Sequence, residues 1–123
     1  MRAKFLIALP FALVMLTAAA GDMSIATFLG KADGLKAKGI LAMGSPEIEV
    51  LKGEMQGATR AYRTRIEGDK KAGKAPHSCP PAQAKMTSND LMKHFRSYPA
   101  SRQSNVSVRT GFFDLMKKRY PCK

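Results

Sequence analysis

Cysteine is almost missing from this chain: Cys79 and Cys122 are the only two, so a single intramolecular pairing exists. Long apolar runs are missing as well. The longest, Phe5 to Leu16, is about a dozen residues, short of the ~20 that a membrane-spanning helix needs. Acidic residues are scarce, 9 against 21 lysines and arginines in 123 residues, for a net charge of +12. No segment alternates apolar and polar residues with period two, which leaves no half-buried strand to expect. There is no Gly-x-Ser-x-Gly, no His-Glu-x-x-His and no pair of acids at a catalytic spacing, so the sequence offers no motif for hydrolase or metalloprotease chemistry. Enzyme activity is not expected, and no cofactor is called for.

The first 20 residues read as a targeting segment. Arg2 and Lys4 make a positive start, Phe5 to Leu16 an apolar middle, and Ala18-Ala19-Ala20 a small-residue cleavage site, the pattern of a secretory signal peptide. The alternative, an uncleaved N-terminal anchor, is disfavoured by the length of the run and its flanks. No cysteine lies beside the cut to accept a lipid. The exported protein would start near Gly21 and hold about 103 residues, enough for one domain over 21–123. Without Arg2 and Lys4, 19 basic residues face 9 acidic ones, a net of +10. A periplasmic or secreted protein of this charge is drawn to lipid head groups, wall polymers or an acidic protein. Export argues against nucleic acid.

Helical signals fill the rest. Ser24 caps a helix over 24–38 whose Ile25, Phe28, Leu29, Ala32 and Leu35 form one apolar stripe, and Gly39 ends it. Ile40 to Gly44 is a short apolar connection. Ser45-Pro46-Glu47 then opens the longest helix, with a cap, a proline at the first position and an acid in the positive first turn. Ile48, Leu51, Met55, Ala58, Tyr62 and Ile66 supply its buried face, and Gly53 and Gly57 suggest a small patch against which a neighbour packs closely. Residues 72 to 86 are a Gly/Pro/Ala/Lys loop, read as a hinge within one domain. Thr87 and Asp90 make a capping-box pattern, with Met86 and Leu91 placed as a hydrophobic staple. Leu91, Met92, Phe95 and Tyr98 are the candidates for a third buried face, and Pro99 stops that helix. Ser104 or Asn105 is the expected cap of a fourth helix carrying Val108, Phe112, Leu115, Met116 and Tyr120. The expected fold is all-α: a small four-helix domain closed by one disulfide.

An even cysteine count in a small exported chain points to a Cys79–Cys122 disulfide, tying the loop before the third helix to the end of the fourth. The competing reading is a metal site from His77, Cys79, His94 and Cys122, whose spacing matches no familiar zinc motif. The remaining candidates are cationic. Arg60, Tyr62, Arg63 and Arg65 on the long helix and Lys117, Lys118 and Arg119 at the chain's end form a candidate binding surface, since arginine and aromatic residues concentrate interface energy. The plainer reading of the same charges is a solvated face.

Cys79-Pro80, Met86-Thr87, Leu91…Phe95…Tyr98-Pro99 and Tyr120-Pro121-Cys122 follow the order and approximate spacing of the closing half of the Rap/Tai-type immunity proteins, and Ser78 to Cys122 resembles that family. The similarity covers about 45 residues. The Cys-x-Gly-Tyr pattern that members often carry in the first helical region has no counterpart here. The resemblance implies a small exported helical protein that neutralises a peptidoglycan amidase delivered by type VI secretion, by covering its cleft without turnover. The alternative from charge alone is an envelope-associated structural protein that binds anionic lipid or wall polymer.

Overall fold

Local capping chemistry sets most helix starts. In the computed structural model, which describes residues 21–123, Ser24 accepts from the Thr27 N–H and opens α1 (Ile25–Lys38). Ser45, followed by Pro46, opens α2 (Pro46–Lys71), and Thr87 with Asp90 forms a complete capping box at the start of α3 (Ser88–Ser97). Tyr98 is extended ahead of Pro99, as the proline ring requires, and α3 ends there. The leader expected over residues 1–20 lies outside the described residues.

The last helix starts later than the sequence suggests. A single-turn helix, α4 (Ala100–Gln103), follows Pro99 directly, and neither Ser104 nor Asn105 caps what comes next. Ser107 does, accepting from the Thr110 N–H to open α5 (Val108–Arg119). The reason is tertiary. The Val106 carbonyl accepts the Ile25 N–H at 2.9 Å, the Met23 carbonyl accepts the Val108 N–H at 2.7 Å, and Ser24 and Ser107 form an isolated antiparallel bridge. The entries to α1 and α5 thus satisfy each other's backbone, and Val106 turns into the core.

The fold is all-α, with four substantial helices, no strand among the described residues, and one disulfide. One core draws on both halves of the chain. It joins Ile25, Phe28 and Leu29 of α1, Ala58 and Tyr62 of α2, Leu91 and Phe95 of α3, and Val108, Phe112, Leu115 and Met116 of α5. The most extensive pairing is α2 on α5, across the loop that reads as a hinge in the sequence. Ile48, expected in the buried stripe, is exposed because the first turn of α2 overhangs the core. No helix among the described residues is long and apolar enough to cross a membrane.

A close approach lies at Gly111, and Gly53 of α2 takes no part in it. A Cβ on Gly53 would meet no described atom within 4 Å, whereas one on Gly111 would lie 2.7 Å from Ile25 Cδ1 and 3.0 Å from Phe95 Cε1. Gly111 is therefore where α5 lets α1 and α3 approach, and Gly53 only weakens a helix interior. Gly53→Ala is expected to raise stability by about 0.5–1 kcal/mol, read from urea midpoints, by restoring helix propensity and restricting the unfolded chain.

Candidate functional site

The disulfide end of the molecule is built around Tyr62. Helical phase places Tyr62 on the inward side of α2, so it is 4% exposed and not part of an outer surface, contrary to its inclusion among the cationic surface candidates. Its ring meets Phe112, Phe113 and His77 edge-on, and its hydroxyl bonds to the Ser78 hydroxyl and, at 3.2 Å, to His77 Nδ1. Ser78 is 1% exposed, which closes its hydroxyl off from any substrate. The His77 N–H donates to Asp69, and Asp69 also receives Arg65 at 3.2 Å. Together these bonds latch the 72–86 loop onto α2. Burial, helped by the charges of Arg65 and Lys117, lowers the His77 pKa from its ordinary value, against the opposing pull of Asp69 and Asp114. Burial also pushes the Tyr62 phenol up.

Cys79 and Cys122 are joined, and the Cys79 N–H donates to the Tyr120 carbonyl at 2.8 Å. The bond consumes both sulfurs of the competing metal reading. It is also a linkage that an oxidising, extracytoplasmic compartment sustains. His94, the other histidine, is half-buried on α3. Its Nε2 lies 3.2 Å from the Tyr98 hydroxyl, which donates to Asp114 at 2.6 Å. Burial lowers the His94 pKa against a hydrogen bond to the Gly111 backbone, and burial with the Asp114 charge raises that of Tyr98.

The basic candidates do not converge on one patch. Arg65 and Lys117 approach from α2 and α5 and both act on His77. Lys118 acts on His94, and Arg119 pairs with Asp90 at 3.2 Å and donates to the Lys85 carbonyl, so these two face α3. Arg60 and Arg63 lie on the outer face of α2, and Arg63 borders a cleft between α2, the Pro80-Pro81 loop and α3. Arg65 and Arg119 are thus committed to partners within the fold, and the cationic surface is dispersed.

The opposite end of α2 carries a feature that sequence reasoning missed. Gly39 ends α1 at φ 56°, a 3-10 turn runs over Gly39–Ala42, and Gly44 at φ 94° turns the chain into Ser45. Ala42 is tucked inward, while Ile40, Leu41 and Met43 are 81%, 81% and 77% exposed. Ile48 and Val50, at 37% and 42%, complete the set: all five exposed large hydrophobic side chains among the described residues fall between 40 and 50. Ile48 and Val50 lie about 200° apart around α2 at ~100° per residue, so apolar groups surround the helix start instead of covering one side. Lys36, Lys38 and Lys52, all exposed, flank these residues along the chain. Of the acids beside them, Glu47 is held by Lys31 at 2.9 Å and Glu49 is exposed. The available signal was a run of large apolar residues between two glycines, Gly39 and Gly44.

Comparison of the chain with protein-family models, with curated proteins and with solved structures finds no match.

Proposed function

We propose that this is an exported binding protein that acts by occlusion, with the 40–50 tip as the element that enters its partner. The observation that carries this reading is the gathering of every exposed large hydrophobic side chain among the described residues at one end of a disulfide-stapled helical body. Such a patch costs solubility and marks an interaction site. Apolar groups on several sides of a narrow projection suit a cleft that encloses them better than a flat interface. Rigid helices behind the tip keep the ordering cost of binding low. The resemblance of Ser78 to Cys122 to the Rap/Tai-type immunity proteins supplies the partner class: a periplasmic cell-wall amidase whose active-site cleft is plugged, with no turnover by this chain. The cations at Arg60, Arg63, Lys117 and Lys118 then steer encounter with an acidic partner surface more than they hold it.

A second reading is favoured by Lys36, Lys38 and Lys52 around the tip: insertion into an anionic bilayer, with the lysines at the head groups. One experiment separates the two. The protein is presented to a periplasmic extract and, separately, to vesicles of phosphatidylglycerol and phosphatidylcholine, each at low and at physiological salt. The occlusion reading expects a one-to-one, salt-resistant complex with a wall hydrolase and loss of that hydrolase's activity. Binding to the vesicles alone, collapsing as salt rises, would replace it with the bilayer reading. Binding to neither would sink both.

A further inference from the structure

Gly21 is held as firmly as a core residue. It is buried at φ 97°, and its nitrogen lies 2.6 Å from Glu54 Oε2 in the middle of α2. Its carbonyl accepts the Arg109 N–H at 2.8 Å, and a Cβ at this position would meet the Ala58 nitrogen at 3.4 Å and Arg109 Cβ at 3.5 Å. These are ordinary contacts, so it is the positive dihedral that calls for glycine. Glu54 also accepts the Met23 N–H at 3.3 Å. A half-buried carboxylate is thus aimed at a backbone nitrogen that follows directly on Ala18-Ala19-Ala20, where the small-residue pattern sets the processing cut.

We propose that the Gly21 nitrogen is the amino terminus of the working protein and that Glu54 is its receptor. Hydrolysis of the Ala20–Gly21 bond adds one water, leaving a carboxylate on Ala20 and an ammonium on Gly21. The neutral N–H···carboxylate bond becomes an ion pair that the uncut chain cannot make, and charge-assisted hydrogen bonds are the stronger kind. Processing thereby tightens the hold of α2 on the lead-in of α1 through Glu54, beside the Arg109 backbone bond that already ties Gly21 to α5. The charged groups facing the new terminus are Glu54 from α2, Arg109 from α5, and Asp22, which pairs with Arg109 at 3.3 Å and offsets its charge. This inference is independent of the partner's identity.

The pairing raises the pKa of the α-amino group above its usual ~7.7–8.0. With Glu54 a carboxylate, as at neutral pH, its stabilisation is therefore present below that range and is lost as pH rises through the raised value.

The test begins with the intact mass of the protein recovered after export, which is expected to start at Gly21. The chain from Gly21 to Lys123 carries every core residue among the described residues and is then compared with the same chain extended by Ala20, each with Glu54 and with Glu54→Gln. At pH 7 the Gly21 chain is expected to melt about 5–10 °C above the extended one, and Glu54→Gln to remove that gap. Raising the pH to about 10.5 is expected to close it as well. A terminus elsewhere, equal melting at pH 7, a gap that survives Glu54→Gln, or a gap unchanged at high pH would each overturn the assignment.

Discussion

Replacing Cys79 and Cys122 together by serine is expected to lower the stability of the folded protein by about 4 kcal/mol, the chain-entropy value for a ring of this size. The two cysteines are 43 residues apart and enclose α3, α4 and α5, more than a third of the described chain. Reduction therefore frees a long stretch of the unfolded chain while the folded one loses little. Near the linkage the native backbone is also held by the Cys79 N–H to Tyr120 carbonyl bond and by the Tyr62–Ser78 contact. The loss is consequently expected in the denaturation midpoint and not in the helical content at low denaturant. For a domain with ~5 kcal/mol in total, the serine variant is left barely folded at 37 °C. Equal midpoints for the oxidised and reduced proteins would show that the staple is dispensable.

Phe95→Ala is expected to cost a similar amount, about 3–5 kcal/mol, through lost burial and the cavity it opens. Phe95 is 0% exposed and meets Phe28 of α1 edge-on at 5.4 Å between ring centroids. It also packs against α5 at the bare Gly111 position. Three helices therefore share one ring, and Ile25, its neighbour at Gly111, is itself fully buried. A cost under ~1 kcal/mol in urea titration would contradict the packing described.

How much of this was legible in the sequence follows from how far each signal reaches along the chain. The caps at Ser24, Ser45 and Thr87 involve partners within three residues, so the local pattern is enough to find them. The start of α5 is not local. Ser107, and not Ser104 or Asn105, became the cap because Val106 is drawn into the core and paired with Ile25 across the fold. Tyr62 fits both a helical stripe and a basic surface, and helical phase decided for the core. Glycines show the same limit: Gly53 looks like part of a packing patch in sequence, yet no described atom comes near its open side, and a close approach falls at Gly111, where neighbours from α1 and α3 converge.

The tip was the hardest feature to find. Ile40, Leu41 and Met43 are residues whose usual place is the interior, and a sequence gives no direct sign that nothing in the fold will cover them. Their exposure is a property of what α1 and α2 leave unpaired at their junction. The pairing of two of the cations was hidden for a related reason. Arg65 and Arg119 look available in sequence, but Asp69 and Asp90 claim them in the fold.

The most direct test of the occlusion account is the affinity of a variant in which Ile40, Leu41 and Met43 are all serine, measured against the partner that the parent protein captures. These side chains carry no part of the core, so the variant is expected to melt with the parent. Each loses roughly 1.5 kcal/mol of burial on binding, about tenfold in Kd, so the three together are expected to weaken binding by a hundredfold or more. Parent-level affinity in a fully folded triple variant, with binding lost instead on reversing Arg60 and Arg63, would contradict the account and move the site to the outer face of α2.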